Sequence, residues 1–163
     1  MRHLIMAVAS MALFAGAAHA AGNDAGGHGH GDTETMAIGE PGEAAMAKRT
    51  VTITMLENDE GEMLFKPASL KVKAGETIRL KFVNRGELDH EFVMDVHDEI
   101  MEHKELMAKF PEMEHDDANA IRLVSGATGE IVWTFANAGD FQFACLIPGH
   151  YELGMKGEIT VSN

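Results

Sequence analysis

The chain has 163 residues, a formal charge of −13, 45% hydrophobic residues and a single cysteine. That length suits one domain with a core of its own. The acidic excess argues against nucleic acid or anionic lipid as a partner, and one cysteine excludes an internal disulfide.

Residues 1–20 read as a secretory signal peptide. Arg2 supplies the positive start, Leu4 to Ala18 is a run of small and apolar residues, and Ala18-His19-Ala20 is a small-x-small cleavage site. The run is short for a membrane span. Cleavage after Ala20 predicts an exported protein with no membrane insertion, and losing Arg2 takes its charge from −13 to −14. Residues 21–49 are rich in Gly, Ala, His and acid, with no apolar periodicity. They read as a flexible arm.

From Thr50 the pattern becomes short alternating runs. Val51, Ile53 and Met55 alternate with threonines, and Leu70 and Val72 follow Pro67. Ala74-Gly75-Glu76 makes a turn before Ile78, Leu80 and Phe82, and Asn84-Arg85-Gly86 ends that strand. His90, Phe92, Met94 and Val96 form the next period-2 set. His97 to Phe110 breaks the alternation. There Ile100, His103, Leu106, Met107 and Phe110 have helical spacing, and Pro111 stops the run. On that helix His103 and Met107 fall within the apolar stripe, His97 and Met101 outside it. Alternation resumes at Ile121 and Leu123. It continues through Ile131, Trp133 and Phe135, then Phe141, Phe143 and Cys145, then Ile159 and Val161, with Gly126, Gly129, Gly139 and Gly157 as punctuation. The prediction is an all-β antiparallel sandwich over 50–163 with one inserted helix near 97–110.

The candidate functional residues lie late in the chain. Cys145, His150 and Met155 follow one another at five-residue steps. Exported proteins usually pair their cysteines, so a lone one needs deep burial, an intermolecular bond or a metal. The residues after Cys145 favour the metal. Cys145 ends a strand, Pro148-Gly149 turns the chain so that His150 faces back toward the sulfur, and Gly154 turns it again before Met155. His90 starts a strand after the polar loop 84–89 and shares a face with Phe92 and Met94, which makes it the candidate second imidazole. Two His, one Cys and one weak Met suit a mononuclear copper site. Cu(I) prefers soft sulfur and Cu(II) accepts imidazole nitrogen, so the set serves both oxidation states. Phe92, Trp133, Phe141 and Phe143 are the candidates for keeping its surroundings dry.

Here the chain resembles a known family. Phe143-Ala144-Cys145-Leu146-Ile147-Pro148-Gly149-His150 resembles the copper loop of the rusticyanin and auracyanin type. Together with Asp89-His90-Glu91-Phe92-Val93-Met94, the inserted helix, the signal peptide and the His-bearing arm, it makes residues 50–163 similar to the cupredoxins. The likeness is greatest to the periplasmic copper-tolerance cupredoxins of the CopI type. The resemblance implies a Greek-key β-sandwich holding one type 1 copper that cycles between Cu(II) and Cu(I). Its ligands would correspond to His90, Cys145, His150 and Met155. One departure stands out. Many cupredoxins carry Asn or Ser after the first histidine, hydrogen-bonded around the cysteine, and here that residue is Glu91.

The resemblance also implies a periplasmic protein of copper tolerance, acting by copper binding or by redox handling of the ion. A periplasmic redox partner or a copper exporter is then the expected protein partner, and a monomer the expected state. A dedicated one-electron carrier is the alternative, since the same four ligands serve both roles. An enzyme is not expected. Cys145 lies between Ala144 and Leu146 rather than between histidines, and the one His-x-His, His28-Gly29-His30, is in the arm. Oxidation of bound Cu(I) is the one turnover this donor set leaves open. Surplus soft donors are candidates for additional copper: His28 and His30 in the arm, and His97, Met101, Met113 and His115 in and after the helix. His97 and Met101, four apart, share a helix face.

Overall fold

Short alternating runs bury one face each, so the strands close into layers around a common apolar interior. The computed structural model describes residues 36–111 and 117–163. Its strands are β1 (Gly39–Pro41), β2 (Thr50–Glu57), β3 (Met63–Lys66), β4 (Ser69–Lys73), β5 (Glu76–Asn84) and β6 (His90–Asp95), followed by helix α1 (His97–Lys109), then β7 (Ala120–Leu123), β8 (Thr128–Phe135), β9 (Gly139–Ala144) and β10 (Lys156–Ser162). They form two five-stranded sheets, ordered β1-β8-β5-β2-β3 and β4-β10-β9-β6-β7. The mostly-β sandwich with one helix matches the sequence expectation.

Two pairings depart from a purely antiparallel reading. β2 lies parallel to β5, and β4 lies parallel to β10. Only hairpin partners are obliged to run antiparallel. β4 sits in the other sheet between β3 and β5, so β5 reaches β2 by crossing between layers and arrives in the same direction.

The predicted signal peptide at 1–20, residues 21–35 of the arm, and Met113 and His115 lie outside the described residues. The arm expected to reach residue 49 joins the fold earlier. Gly39 pairs opposite Phe135 and Pro41 opposite Trp133. Ile38 is fully buried, and Trp133 Nε1 donates to its carbonyl at 3.4 Å. Three residues containing Gly and Pro show no period-2 signal. Proline is tolerated there because β1 is an edge strand.

Aromatic side chains from both sheets meet in the interior. Phe65 and Phe82 come from one sheet, Phe92 and Phe143 from the other. Phe92 stacks on Phe143 with ring centroids 5.2 Å apart, and Phe65 meets both edge-on at 5.8 and 5.2 Å. Such pairs add to the stability from burial alone. Cys145 and Met155 belong to this same apolar cluster. A second cluster lies on the outer face of the β6–β9 sheet. There Ile100 and Met107 of α1 cover Val93, Ala144 and Leu146. α1 spans His97–Lys109, close to the expected range. Its buried stripe is narrower than expected: Leu106 and Phe110 are exposed, and Met101 packs partly against the cluster. Ile100 and Met107 lie against the sheet, whereas Leu106, beside Met107 in the same turn, and Phe110, at the helix end, do not.

Candidate metal centre

The site forms where β6 begins and β9 ends. His90 is the first residue of β6, and Cys145 follows the last residue of β9. β6 and β9 are neighbours, with Val93 opposite Ala144. The chain then turns back through residues 146–155 into β10. Gly149 and Gly154 take φ of +92° and +101°, left-handed conformations that glycine adopts without a Cβ penalty. Main-chain bonds hold the turn. Cys145 N donates to Met155 O at 3.0 Å, His150 N to Ile147 O at 3.0 Å, and Met155 N to His150 O at 3.1 Å. The five-residue steps of the sequence therefore bring Cys145, His150 and Met155 to one end of the sandwich.

His90, Cys145 and His150 each offer a ligand atom, all within 4.8 Å of one another. Among the described residues these three are the one such group of His, Cys, Asp and Glu side chains. Cys145 Sγ lies 3.3 Å from His150 Nδ1, and the two imidazole centroids are 5.3 Å apart. His90, Cys145 and Met155 are fully buried, whereas His150 retains 8% exposure. His150 is thus the solvent-exposed edge of this group. Met155 shares the apolar cluster with Cys145.

The metal-free electrostatics suit a metal. Burial pushes the Cys145 thiol pKa up to about 12. Burial also lowers both imidazoles below their ordinary value, and the neighbouring His90 lowers His150 further. The rings are therefore neutral near pH 7, with nitrogen lone pairs available. Neither ring nitrogen of His90 has a hydrogen-bond partner although both are buried, a costly state unless something else takes up a lone pair. A soft sulfur beside two neutral imidazoles fits one type 1 copper and poorly fits a hard, oxygen-seeking cation.

The loops around the site are tied by residues the sequence did not single out. Asn84 Nδ2 donates to Leu88 O at 2.8 Å and Leu123 O at 2.9 Å, while its Oδ1 accepts from Gly86 N at 2.9 Å. Ser125 Oγ donates to Gly86 O at 2.6 Å. Glu57, the last residue of β2, accepts from Glu87 N at 3.0 Å and Leu88 N at 3.1 Å. Despite the Glu91 departure the bond to the cysteine is kept, because it is the Glu91 main-chain N–H that donates to Cys145 Sγ at 3.3 Å, while the Glu91 charge works the other way and adds to burial in raising the thiol pKa. Glu57 reaches the site through the parallel β2–β5 pairing, which sets Met55 opposite Asn84. Asn84 had a visible signal as the polar end of an apolar strand, but Glu57 had none.

Of the remaining metal candidates the structure describes His97 and Met101. His97, at the start of α1, is exposed, with Nδ1 3.3 Å from Gln142 Oε1. Met101 packs partly against the outer cluster. His28, His30, Met113 and His115 lie outside the described residues. Phe92, Phe143 and Trp133 are fully buried and Phe141 nearly so, all within the interior cluster that contains Cys145.

Comparison with known proteins agrees with this geometry. Residues 52–162 match the family described as copper binding proteins, plastocyanin/azurin family. The chain is 46% identical to the "Copper-resistant cuproprotein CopI" of Rubrivivax gelatinosus over 156 residues, covering 92% of this chain and 91% of that one. It is 34% identical to the protein of the same name from Pseudomonas aeruginosa, covering 77% and 83%. Among solved structures, reduced auracyanin from Roseiflexus castenholzii superposes with a TM-score of 0.61 at 26% identity, over 72% of this chain and 99% of that chain. This chain belongs to the plastocyanin/azurin family of copper-binding proteins, as a cupredoxin of the CopI type.

Proposed function

We propose that His90, Cys145, His150 and Met155 ligate the copper, and that the protein works in the periplasm in copper tolerance. The observation that carries the ligand set is the buried group of His90, Cys145 and His150, whose ligand atoms lie within 4.8 Å, closed by a loop that ends on Met155. Bound there, copper supplies a single electron step between Cu(II) and Cu(I). The residues' part is to hold the ion away from water, with only the His150 edge exposed. The role in tolerance rests on the CopI relatives, named copper-resistant, one of which aligns over nine-tenths of both chains. Binding or redox handling of the ion at this site would lower its toxicity outside the cytoplasm. The export signal at 1–20 supports that location, and no helix of the described residues is long and apolar enough to cross a membrane.

A dedicated one-electron carrier is the second reading, favoured by the exposure of His150 alone among the four ligands. A deletion strain separates the two. Normal growth without added copper and failure with it supports tolerance. Loss of a respiratory pathway at ordinary copper levels supports the carrier and contradicts tolerance as the main role. Extra copper at His28, His30, His97, Met101, Met113 and His115 belongs to the tolerance reading. Copper titration of Cys145→Ser tests it, and zero residual binding would eliminate these sites.

A further inference from the structure

We infer that Glu57 is a positioning residue of the metal centre: its carboxylate, set against Nε2 of His90, fixes which ring nitrogen faces the metal and favours Cu(II) over Cu(I). The inference rests on His90 being a ligand. Oε1 of Glu57 lies 3.1 Å from His90 Nε2. The two atoms are in close contact without full hydrogen-bond alignment, so the neutral ring meets the carboxylate through the dipole of its Nε2–H. The carboxylate is not free to wander. Its two oxygens also accept from the main chain, Oε2 from Glu87 N and Oε1 from Leu88 N. Two N–H donors hold it as an anion and fix its direction.

Gly86 makes the approach possible. A Cβ at that position would collide with Glu57 Oε2 and stand 2.8 Å from His90 Nε2. Only a residue without a side chain leaves room for the carboxylate and the ring to meet. Both ring nitrogens of His90 are buried without a hydrogen-bond partner; with Nε2 turned toward Glu57 and Gly86, the nitrogen left for the metal is Nδ1.

A carboxylate on the far nitrogen of a ligating imidazole orients the ring and makes it a stronger donor. A stronger donor, and a fixed negative charge nearby, stabilise the more highly charged metal state. His90 is fully buried and Glu57 partly so, with side-chain exposures of 0% and 21%, so solvent screens the pair less than it would two surface charges. Glu57 therefore lowers the tendency of bound Cu(II) to take an electron.

The test compares copper-loaded wild type with Glu57→Gln and Glu87→Gln. Glu57→Gln removes the charge but keeps a similar shape and an acceptor for the loop. Glu87→Gln removes the same charge from an exposed position in the adjoining loop. Glu57→Gln is expected to shift the Cu(II)/Cu(I) affinity ratio about tenfold toward Cu(I), which raises the reduction potential by about 59 mV for one electron. Glu87→Gln is expected to leave the potential at the wild-type value. Equal potentials in the two variants would overturn the inference. A second readout needs neither metal nor mutation: long-range proton–nitrogen NMR of the metal-free wild type should place the ring proton of His90 on Nε2, beside Glu57. A proton on Nδ1 would overturn the inference even if Glu57→Gln failed to fold. Absence of thiolate-to-copper absorption in the loaded wild type would instead sink the ligand assignment, so the two failures are told apart.

Discussion

Cys145 in the metal-free protein is a buried thiol with its pKa near 12, between two imidazoles that burial holds below their ordinary value. At pH 7 the thiol keeps its proton and both rings are already neutral. Only the thiolate ligates a metal, so binding must displace the thiol proton and no other. Loading Cu(II) at pH 7 in weak buffer is therefore expected to release about one proton per copper. An indicator-dye titration reads it, and release of none, or of two or more, would contradict this protonation state. At this scale much of the site was readable from the chain. Cys145, His150 and Met155 announce themselves by spacing because one tight turn carries all three. His90 was readable through its alternation with Phe92 and Met94. Glu57 was not, because it comes to His90 only through a pairing between strands separated by a crossover.

At the scale of elements, the site depends on loops being locked to strand ends. Asn84 closes β5 with a buried side-chain amide that bonds the loop before His90 and the end of β7 at once. Replacing it leaves Leu88 O, Leu123 O and Gly86 N without their partner. Asn84→Ala should cost about 2–3 kcal/mol, measured by urea unfolding of the metal-free protein, and should speed copper loss to a chelator. A cost below about 0.5 kcal/mol, the range of an ordinary surface change, would show the tie to be dispensable. α1 is fastened on the other side of the site. Its Lys104 pairs with Glu152 of the metal loop at 2.6 Å, and Lys104 and Lys156 both lie over the Tyr151 ring. Helical spacing revealed α1 but not its buried width, because Leu106 and Phe110 are apolar without lying against the sheet. β3 escaped the sequence reading because Met63-Leu64-Phe65 is too short to show a period, and β1 because Gly and Pro carry none.

Across the whole molecule, the two ends of the sandwich are held differently. The metal end is tied chiefly by the buried Asn84 amide, the Glu57 carboxylate and main-chain turns. The other end, where β5 begins, relies on charge. Arg49 Nε donates to Glu76 Oε1 at 2.8 Å and its terminal nitrogen to Lys71 O at 2.7 Å, while Glu76 Oε2 accepts from Lys73 N at 3.0 Å. This links β5 of one sheet to β4 of the other. The Arg49 guanidinium beside it holds the Glu76 pKa below its ordinary 4.5. A carboxyl lowered by folding adds stability above its unfolded pKa and loses it as pH falls through the folded one. Glu76→Gln should therefore destabilise the protein by about 1 kcal/mol at pH 7, Arg49 being partly solvent-screened. The difference should shrink as pH drops below 4.5 and vanish once Glu76 is protonated in both states. Urea unfolding at pH 7 and pH 3 measures this, and an equal difference at both would contradict the charge account. The sandwich, its helix and its metal end were legible because alternation and the Cys145 loop are local signals. The parallel pairings, the β1 strand and the tie at Arg49 were not, because they join segments distant in the chain.

The most direct test of the central claim is the visible and EPR spectrum of the copper-loaded protein beside that of Cys145→Ser. Cu(II) held by Cys145 and two imidazoles predicts intense thiolate-to-copper absorption and an EPR signal distinct from ordinary tetragonal copper, both lost in Cys145→Ser. A colourless Cu(II) protein with an ordinary tetragonal signal, or an intense band that survives the substitution, would contradict it.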